Sequence, residues 1–310
     1  MITVLAVDVG GTNIRLAIVS DKGEILEAVS TPAHFSKRNI SAEELLSTLA
    51  SAFLDFLDNK ANVAAIGIGF PGFFLGNSGV LSSSPNLPLL KEVDLGKAFS
   101  NTLELPVVVQ NDALCAAIGE HRFGAGMGRP NMIHITLGTG IGAGLILNYL
   151  PYTGEDGTAM EFGHLCINPD DHARVCGCGN TGCLEAYASA SAVVSQFEEK
   201  SGIRMEAKEI YQHSLNGNKQ AKEILLTAGA YLGAAIAEVV KILDIRYITI
   251  SGGLSGAWPI LYPILMKHLN SRVIPPLKGK ITVVRSQLDD NSGLLGAAAL
   301  AFNINQDFLK

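Results

Sequence analysis

The chain is poor in charge and in cysteine. Only 17% of its 310 residues are Asp, Glu, Lys or Arg, the 23 basic residues are dispersed, and the net charge is -6. No basic stripe is available to displace counterions from a phosphate backbone, so no nucleic-acid partner is expected. Five cysteines are too few for a disulfide scaffold, and such scaffolds belong to small secreted domains. The opening residues MITVLAVDVGG form a strand entering a turn, with no basic or apolar leader region; this predicts no secretory signal and a cytoplasmic location. A clean apolar run of about 18 residues is also missing. The most apolar long stretch, Met132 to Leu150, carries His134 and four glycines, so no membrane span is expected.

Two common nucleotide motifs are absent. No G-x-x-x-x-G-K-[ST] occurs, and Gly138, Gly140, Gly142 and Gly144 space as G-x-G-x-G-x-G, which disfavours a dinucleotide site. The length, by contrast, exceeds what one core usually fills, so two lobes with a ligand-binding cleft between them are expected.

What the chain does contain is an internal repeat. Ala6 to Val19 (AVDVGGTNIRLAIV) aligns with His134 to Leu147 (HITLGTGIGAGLIL), strand on strand and turn on turn, with Gly10 on Gly138. Each copy predicts a β-hairpin whose glycines supply positive φ and close backbone approach to a ligand. Two copies predict a duplicated fold, one hairpin per lobe. Elsewhere Ser41 and Glu44 form a capping box for a helix over about 42–58. Val63 to Phe70 is a buried strand ending at Pro71-Gly72, Leu75 to Leu87 a loop, and Pro106 to Gln110 a strand followed by a helix from Ala113 towards Phe123. Further helices are expected at Ala221 to Leu243, near Ile260 to Leu269 and from about Leu294 to Phe302, with strands at Tyr247 to Gly253 and near Ile281 to Val284. Alternating strands and helices indicate an α/β architecture.

The chemistry clusters in a few short segments. Asp8-Val9-Gly10-Gly11-Thr12 places an acid at a strand end, two residues without side chains to block an anion, and a hydroxyl, which suits a nucleotide phosphate with nearby magnesium. Gly138-Thr139-Gly140 repeats the glycine and hydroxyl logic, although either turn alone serves equally as a plain hairpin turn. Asn111-Asp112 lies where a strand meets a helix, the usual place for ligand-contacting groups in α/β sheets. Asp112 there either accepts the proton of a hydroxyl attacking a phosphoryl group or caps the following helix. Cys176, Cys178 and Cys183 fall within eight positions and, with His164 twelve residues earlier, make a donor set for tetrahedral zinc. Four protein ligands would close the shell, so the zinc is expected to be structural. His172 is an alternative imidazole on spacing. Cys115 and Cys166 are expected to be ordinary buried thiols. Glu161 and Glu185 flank the ligands and are either solvated acids or carboxylates that a metal would aim at a common cavity.

These segments together resemble the ROK family of sugar kinases and repressors, and within it the bacterial glucokinases, over nearly the whole chain. Asp8 to Thr12 and Leu137 to Gly144 resemble its two phosphate motifs, and Ser251-Gly252-Gly253 its adenosine motif. Asn111-Asp112 resembles its substrate and catalytic pair. GTAMEFGH (Gly157 to His164) and CGCGNTGCLE (Cys176 to Glu185) resemble its sugar and zinc signature. The resemblance implies a duplicated actin-like, ribonuclease-H-like fold with two lobes around a central cleft. The small lobe would comprise residues 1–112, joined by the C-terminal helix of about 294–310, and the large lobe 113–293 with the zinc loop.

The activity so implied is an ATP- and magnesium-dependent hexose kinase, with glucose the favoured acceptor and N-acetylmannosamine, N-acetylglucosamine, fructose or allose the alternatives. Asp112 would be the general base, and Asn86, Asn111, Glu161, His164 and Glu185 would bind sugar hydroxyls beside Gly72 on the cleft wall. Asp8, Gly10, Gly11, Thr12, Gly138, Thr139, Gly140, Gly252 and Gly253 would bind the nucleotide, and His164 would serve both zinc and sugar. A homodimer is implied as well. Two departures stand out: the segment between His164 and Cys176 is one residue longer than in related enzymes, predicting a bulge in the zinc loop, and Leu89-Leu90 replace a tryptophan that often follows the Asn86 motif. A DNA-binding sugar sensor is the rival class, disfavoured because the first phosphate hairpin begins within a few residues of Met1.

Overall fold

A computed structural model describes residues 2–10, 13–32, 40–58, 63–76, 78–84 and 87–307. The backbone separates into two compact units: Met1–Pro130 with Gly144–Ala159 and Asn291–Lys310, and Asn131–Ala143 with Met160–Asp290. Positions 112 and 113 both lie in the first turn of a helix of the first unit, Asp112–Phe123.

In chain order the elements are β1 (Thr3–Val9), β2 (Asn13–Ser20), β3 (Ile25–Pro32), α1 (Ala42–Leu57), β4 (Val63–Phe70), β5 (Phe73–Phe74), β6 (Val80–Ser83), β7 (Lys91–Asp94), α2 (Leu95–Leu103), β8 (Val107–Asn111) and α3 (Asp112–Phe123). There follow β9 (Met132–Leu137), β10 (Ile141–Leu147), β11 (Leu150–Tyr152), α4 (Glu185–Ala188), α5 (Ala190–Ser201), α6 (Ala207–Leu215), α7 (Lys219–Leu243), β12 (Tyr247–Ser251), α8 (Trp258–Arg272), β13 (Thr282–Arg285) and α9 (Ser292–Asp307).

The repeat seen in sequence is a repeat of whole sheets. One sheet runs β3-β2-β1-β4-β8 and the other β11-β10-β9-β12-β13. In the first, β2 is antiparallel to β1 and β3, whereas β1, β4 and β8 are parallel. In the second, β10 and β11 are antiparallel and β9, β12 and β13 are parallel. This is the actin-like duplicated α/β fold. Its parallel strands are nearly continuous in apolar residues because both faces are covered; Val4 to Val7 and Ile66 to Ile68 are buried accordingly.

Helix α1 forms as the spacing predicted. The Ser41 hydroxyl accepts the Glu44 N–H at 3.2 Å, and Leu45, Leu49, Phe53 and Phe56 form its buried stripe. The loop expected over Leu75 to Leu87 instead contains β6, the centre of a three-stranded sheet β5-β6-β7. Leu81 drives this: it pairs with Phe74 and Val93 and is fully buried, while the flanking serines hide the strand from a hydropathy reading.

Helix α7 is long and apolar enough to cross a membrane by length and composition, yet 67% of its most apolar stretch is buried within the protein. It packs against α4, α5, α6 and α8, as a core helix does.

In the first unit, α3 and α9 approach backbone to backbone. A Cβ at Gly119 would overlap the Ser292 carbonyl, and one at Gly296 the Cys115 carbonyl. Overpacking of such a contact costs about 1–3 kcal/mol or more. Gly296→Ala is therefore expected to lower the urea midpoint with an unchanged slope; an unaltered midpoint would show that the helices separate freely.

Candidate active site

The parallel strands of the first unit bring their C-terminal ends to one edge. Asp8 of β1 lies opposite Gly69 of β4, and Phe70 lies opposite Asn111 of β8. The chain after each strand is thus delivered to the edge where α/β sheets bind ligands.

Asn111, and not Asp112, caps α3. Its Oδ1 accepts the Leu114 N–H at 3.0 Å, and its Nδ2 donates to the Gly72 carbonyl at 3.0 Å. The capping alternative for Asp112 is thereby filled by its neighbour. Asp112 is the first helical residue, half-buried, with Oδ1 accepting the Ala113 N–H at 2.9 Å. Burial raises its carboxyl above the ordinary value against the lowering effect of the Ala113 N–H and its own N–H. For stability the sign is unfavourable: the native state holds this proton more tightly than the unfolded chain. Asp112 therefore costs stability above its raised pKa, and the cost vanishes below the unfolded value.

Around Asp112 the neighbours are specified in detail. Gly72 sits at φ +151 where a Cβ would press on Leu81 and Ser83, and the Ser84 hydroxyl donates to the Pro71 carbonyl at 2.9 Å. The Asp8 carboxylate lies against Gly293 in the first turn of α9, where a Cβ would come within 3.1 Å of it. Burial, then the charges of Asp8 and Asp112, push the Cys115 thiol well up, so it stays protonated and inert. Arg15, cross-strand from Asp8, donates to Asn291 Oδ1 at 2.7 Å. Gly10 closes the β1/β2 turn with its N–H on the Asn13 carbonyl at 2.9 Å. Gly11, Thr12 and Asn86 lie outside the described residues.

In the second unit the four expected ligands converge. The ligand atoms of His164, Cys176, Cys178 and Cys183 all lie within 4.8 Å of one another. Cys178 Sγ is 3.7 Å from Cys183 Sγ, and Cys176 Sγ is 3.7 Å from His164 Nδ1. A zinc tetrahedron with Zn–S of about 2.3 Å has edges of about 3.8 Å. The donor set therefore fits zinc in both chemistry and size. His172, the alternative imidazole, is exposed and is not in this group.

Local geometry explains the convergence. Cys166 pairs with Cys183, and Val175 with Thr181, in isolated antiparallel backbone β-bridges, the Cys176 N–H reaches the Asn180 carbonyl at 2.7 Å, and Phe162–His164 form a short 3-10 turn. The segment between His164 and Cys176 contains a turn with the Ala173 N–H on the Asp170 carbonyl at 2.9 Å. Tyr187 Oη accepts from the Arg174 N–H at 2.8 Å and from Asn168 Nδ2 at 3.0 Å, tying the loop to α4. Cys166 is exposed, contrary to the expected buried thiol, because its bridge holds it on the rim of this loop with Sγ over the Asn168 carbonyl at 3.7 Å. Burial, then the hydrogen bonds from Cys178 and Cys176, push the Cys183 thiol up to about 12. Burial also raises Cys178, but the Asn180 N–H and the other two thiols outweigh it and leave it lowered.

Both flanking carboxylates face this cluster. Glu161 Oε2 is 3.8 Å from His164 Nε2, the ring nitrogen turned away from the sulfurs. Glu185 Oε1 is 3.8 Å from Cys176 Sγ, and its Oε2 accepts the Ile141 N–H at 2.8 Å. That second bond needs Gly140, since a Cβ there would overlap Oε2. Gly10, Gly138 and Gly140 are not among the positive-φ residues. The expected left-handed turn is therefore replaced by close approach: glycine at 140 admits a carboxylate. Gly138 has open space above it and Thr139 is exposed.

The edge formed by β12 and β13 carries a cavity of about 390 Å³. It is lined by Gly252, Gly253, Leu254, Gly256 and Ala257 after β12, by Lys208, Tyr211 and Gln212 of α6, and by Arg285, Asp289 and Asp290 at and after the end of β13. Arg285 pairs with Asp289 Oδ1 at 3.2 Å. A cationic side, an acidic side and an aromatic ring around glycine backbone suit a nucleoside.

A family model described as the ROK family matches residues 4–304. This chain belongs to the ROK family. A glucokinase of Thermotoga maritima is 31% identical, with 96% of each chain covered. An N-acetyl-D-glucosamine kinase of Pectobacterium carotovorum is also 31% identical, over 94% of this chain and 97% of that protein. A crystal structure of a ROK family glucokinase from Streptomyces griseus, in complex with glucose and AMPPNP, superposes with a TM-score of 0.85 at 30% identity, covering 97% and 99% of the two chains.

The ROK motifs thus fall into two groups, one in each unit. Asp8, Gly10, Gly72, Asn111 and Asp112 share the β1-β4-β8 edge of the first unit; Gly138 to Gly140, Glu161, the four ligands, Glu185 and Gly252-Gly253 lie in the second. Sequence reasoning missed Lys208, Tyr211, Arg285, Asp289 and Asp290. They come from α6 and the end of β13 with its turn, and no spacing joins them; the Gly252-Gly253 turn was the only local signal.

Proposed function

We propose that this ROK protein is an ATP-dependent hexose kinase that converts glucose to glucose 6-phosphate. The observation that carries the reading is the division of labour at the start of α3: Asn111 caps the helix and anchors Gly72, so the Asp112 carboxylate, which takes the Ala113 N–H on Oδ1, is not needed as the cap. In this reading the sugar 6-hydroxyl attacks the γ-phosphorus, Asp112 takes its proton, and the bond to the β-phosphate breaks to release ADP. Phosphoryl transfer asks little covalent help of the protein, so positioning and charge stabilisation dominate.

Asn86, Asn111, Glu161, His164 and Glu185 would hold the remaining hydroxyls beside Gly72. The glycine turns at Gly10-Gly11-Thr12 and Gly138-Thr139-Gly140 would receive the phosphates, and the Gly252-Gly253 cavity the nucleoside. Asp8 would hold a magnesium ion, which when bound neutralises phosphate charge. A structural zinc would fix the sugar-binding side chains through His164 and Cys176.

Glucose is favoured by the Thermotoga and Streptomyces relatives, and N-acetylglucosamine is the second reading because a kinase for that sugar is equally identical to this chain. The test is ADP release with Mg-ATP across glucose, N-acetylglucosamine, N-acetylmannosamine, fructose and allose. Glucose turnover supports the first reading and N-acetylglucosamine turnover the second; no turnover with any sugar would favour a sugar-sensing protein and defeat the kinase reading.

The pH profile offers a separate check. A base must be ionised to accept a proton, so kcat/KM falls as pH drops through the Asp112 pKa, which burial raises. The acid limb is therefore expected above the ordinary aspartate value of about 3.9. A limb at or below that value would exclude Asp112 as the titrating base.

A further inference from the structure

The sheets of the two units are built on one plan, yet at three matched places they differ in kind. By register, Ala6 faces Gly67 and Asp8 faces Gly69 in the first sheet; in the second, His134 faces Thr249 and Thr136 faces Ser251. Since Ala6 aligns with His134, the small residues Ala6, Gly67 and Gly69 correspond to the polar set His134, Thr249 and Ser251. All three polar residues are buried, His134 and Thr249 at 0% exposure and Ser251 at 2%. An imidazole placed in a sheet interior needs partners for both ring nitrogens. His134 Nδ1 lies 2.7 Å from Thr249 Oγ1, and Nε2 lies 2.9 Å from Ser251 Oγ.

The first sheet shows that this fold does not require an imidazole here, because alanine serves at the matching place. The difference lies in the turns that leave the two strands. β9 runs from Leu137 directly into Gly138-Thr139-Gly140, and β12 runs from Ser251 into Gly252-Gly253. These two turns touch: Gly252, at φ +89, packs on the Leu137 backbone so closely that a Cβ would press on its N, C and O atoms. The Ser255 N–H returns to the Gly252 carbonyl at 2.9 Å, fixing the far side of that turn. Ser251 is the last residue before Gly252, and His134 grips it from four residues before Gly138.

We propose that His134 is a positioning residue for the nucleotide, holding the Gly138–Gly140 turn and the Gly252–Leu254 turn at a fixed separation through Ser251 and Thr249. This rests on the reading that these turns bind ATP. Hydrogen bonds constrain register and spacing where apolar packing of the same volume permits slippage, so the role is geometric. His134 itself touches no substrate.

The test uses the full-length, zinc-loaded protein and the variants His134→Phe, His134→Gln and Ser251→Ala. KM for ATP and for sugar, kcat, the Mg-ATP dissociation constant by calorimetry without sugar, and the melting midpoint are measured for each. His134→Phe keeps a planar ring of similar bulk but makes neither bond. It is expected to weaken Mg-ATP binding and raise the ATP KM about tenfold, with sugar KM within about twofold. Ser251→Ala should shift the same constants by about fivefold, His134→Gln should recover part of the loss, and the double variant should be no worse than His134→Phe alone.

An unchanged ATP constant in folded His134→Phe would overturn the proposal, as would equal losses in the ATP and sugar constants. If His134→Phe does not fold, Ser251→Ala decides on the same criterion. Wild-type protein that fails to bind Mg-ATP would overturn the nucleotide reading and this proposal together; wild-type binding with indifferent variants would overturn this proposal alone.

Discussion

Asp112→Ala is expected to lower kcat by about 100- to 10,000-fold while leaving ATP and sugar affinity within a few-fold of wild type. That range is what a positioned general base contributes to proton transfer in a transition state. The fold should survive, because the cap of α3 belongs to Asn111, whose bond to the Leu114 N–H does not involve Asp112. Asp112→Asn sharpens the expectation: it removes a carboxylate whose ionisation burial opposes, so the neutral-pH melting midpoint should hold or rise as activity disappears. ADP release and a thermal melt on the two variants decide the matter. Full activity in Asp112→Ala would remove the residue from the mechanism, and loss of activity accompanied by unfolding would assign it a structural role.

Removal of the metal has the second large effect. Cys178→Ser should reduce bound zinc from about one per chain to near zero and raise the sugar KM about 10- to 100-fold, with a smaller change in the ATP KM. The asymmetry comes from the connections within the second unit. His164 reaches the cluster through Nδ1 and Glu161 through Nε2, and Glu185 links Cys176 to the Ile141 N–H. Losing the ion frees one ring and two carboxylates proposed to bind sugar, whereas the cavity at Gly252 is built from α6 and the end of β13 with its turn. Zinc affinity should also fall as pH falls, since the thiols, Cys183 above all, must give up protons to bind. Metal analysis and sugar kinetics on the same preparation provide the check; normal sugar KM in zinc-free protein would sever the metal from the sugar site.

Several features were legible in the chain because they are local or periodic. The hairpin repeat depends on apolar runs around glycines, α1 on a serine and a stripe of four buried side chains, and the ligand set on a spacing that admits few other uses. Features absent from any single stretch escaped. β6 was hidden by its serines, since only the pairing of Leu81 with Phe74 and Val93 makes those residues a strand. Cys166 gave no sign of its exposure, because the bridge to Cys183 is a contact between segments. The need for glycine at 140 escaped for the same reason: a Cβ there would overlap Glu185, 45 residues away, and its own φ is not positive.

The sequence alone determined the duplicated α/β plan, the metal ligand types and the acid that opens α3, for hydropathy period, turn chemistry and donor chemistry are properties of residues in order. Tertiary structure alone decided which of Asn111 and Asp112 caps α3, which imidazole joins the thiols, and which side chains from α6 and the end of β13 enclose the cavity. Those are choices among groups that compete for one place. They are settled by distance and burial, which a linear order leaves open until the strands are paired.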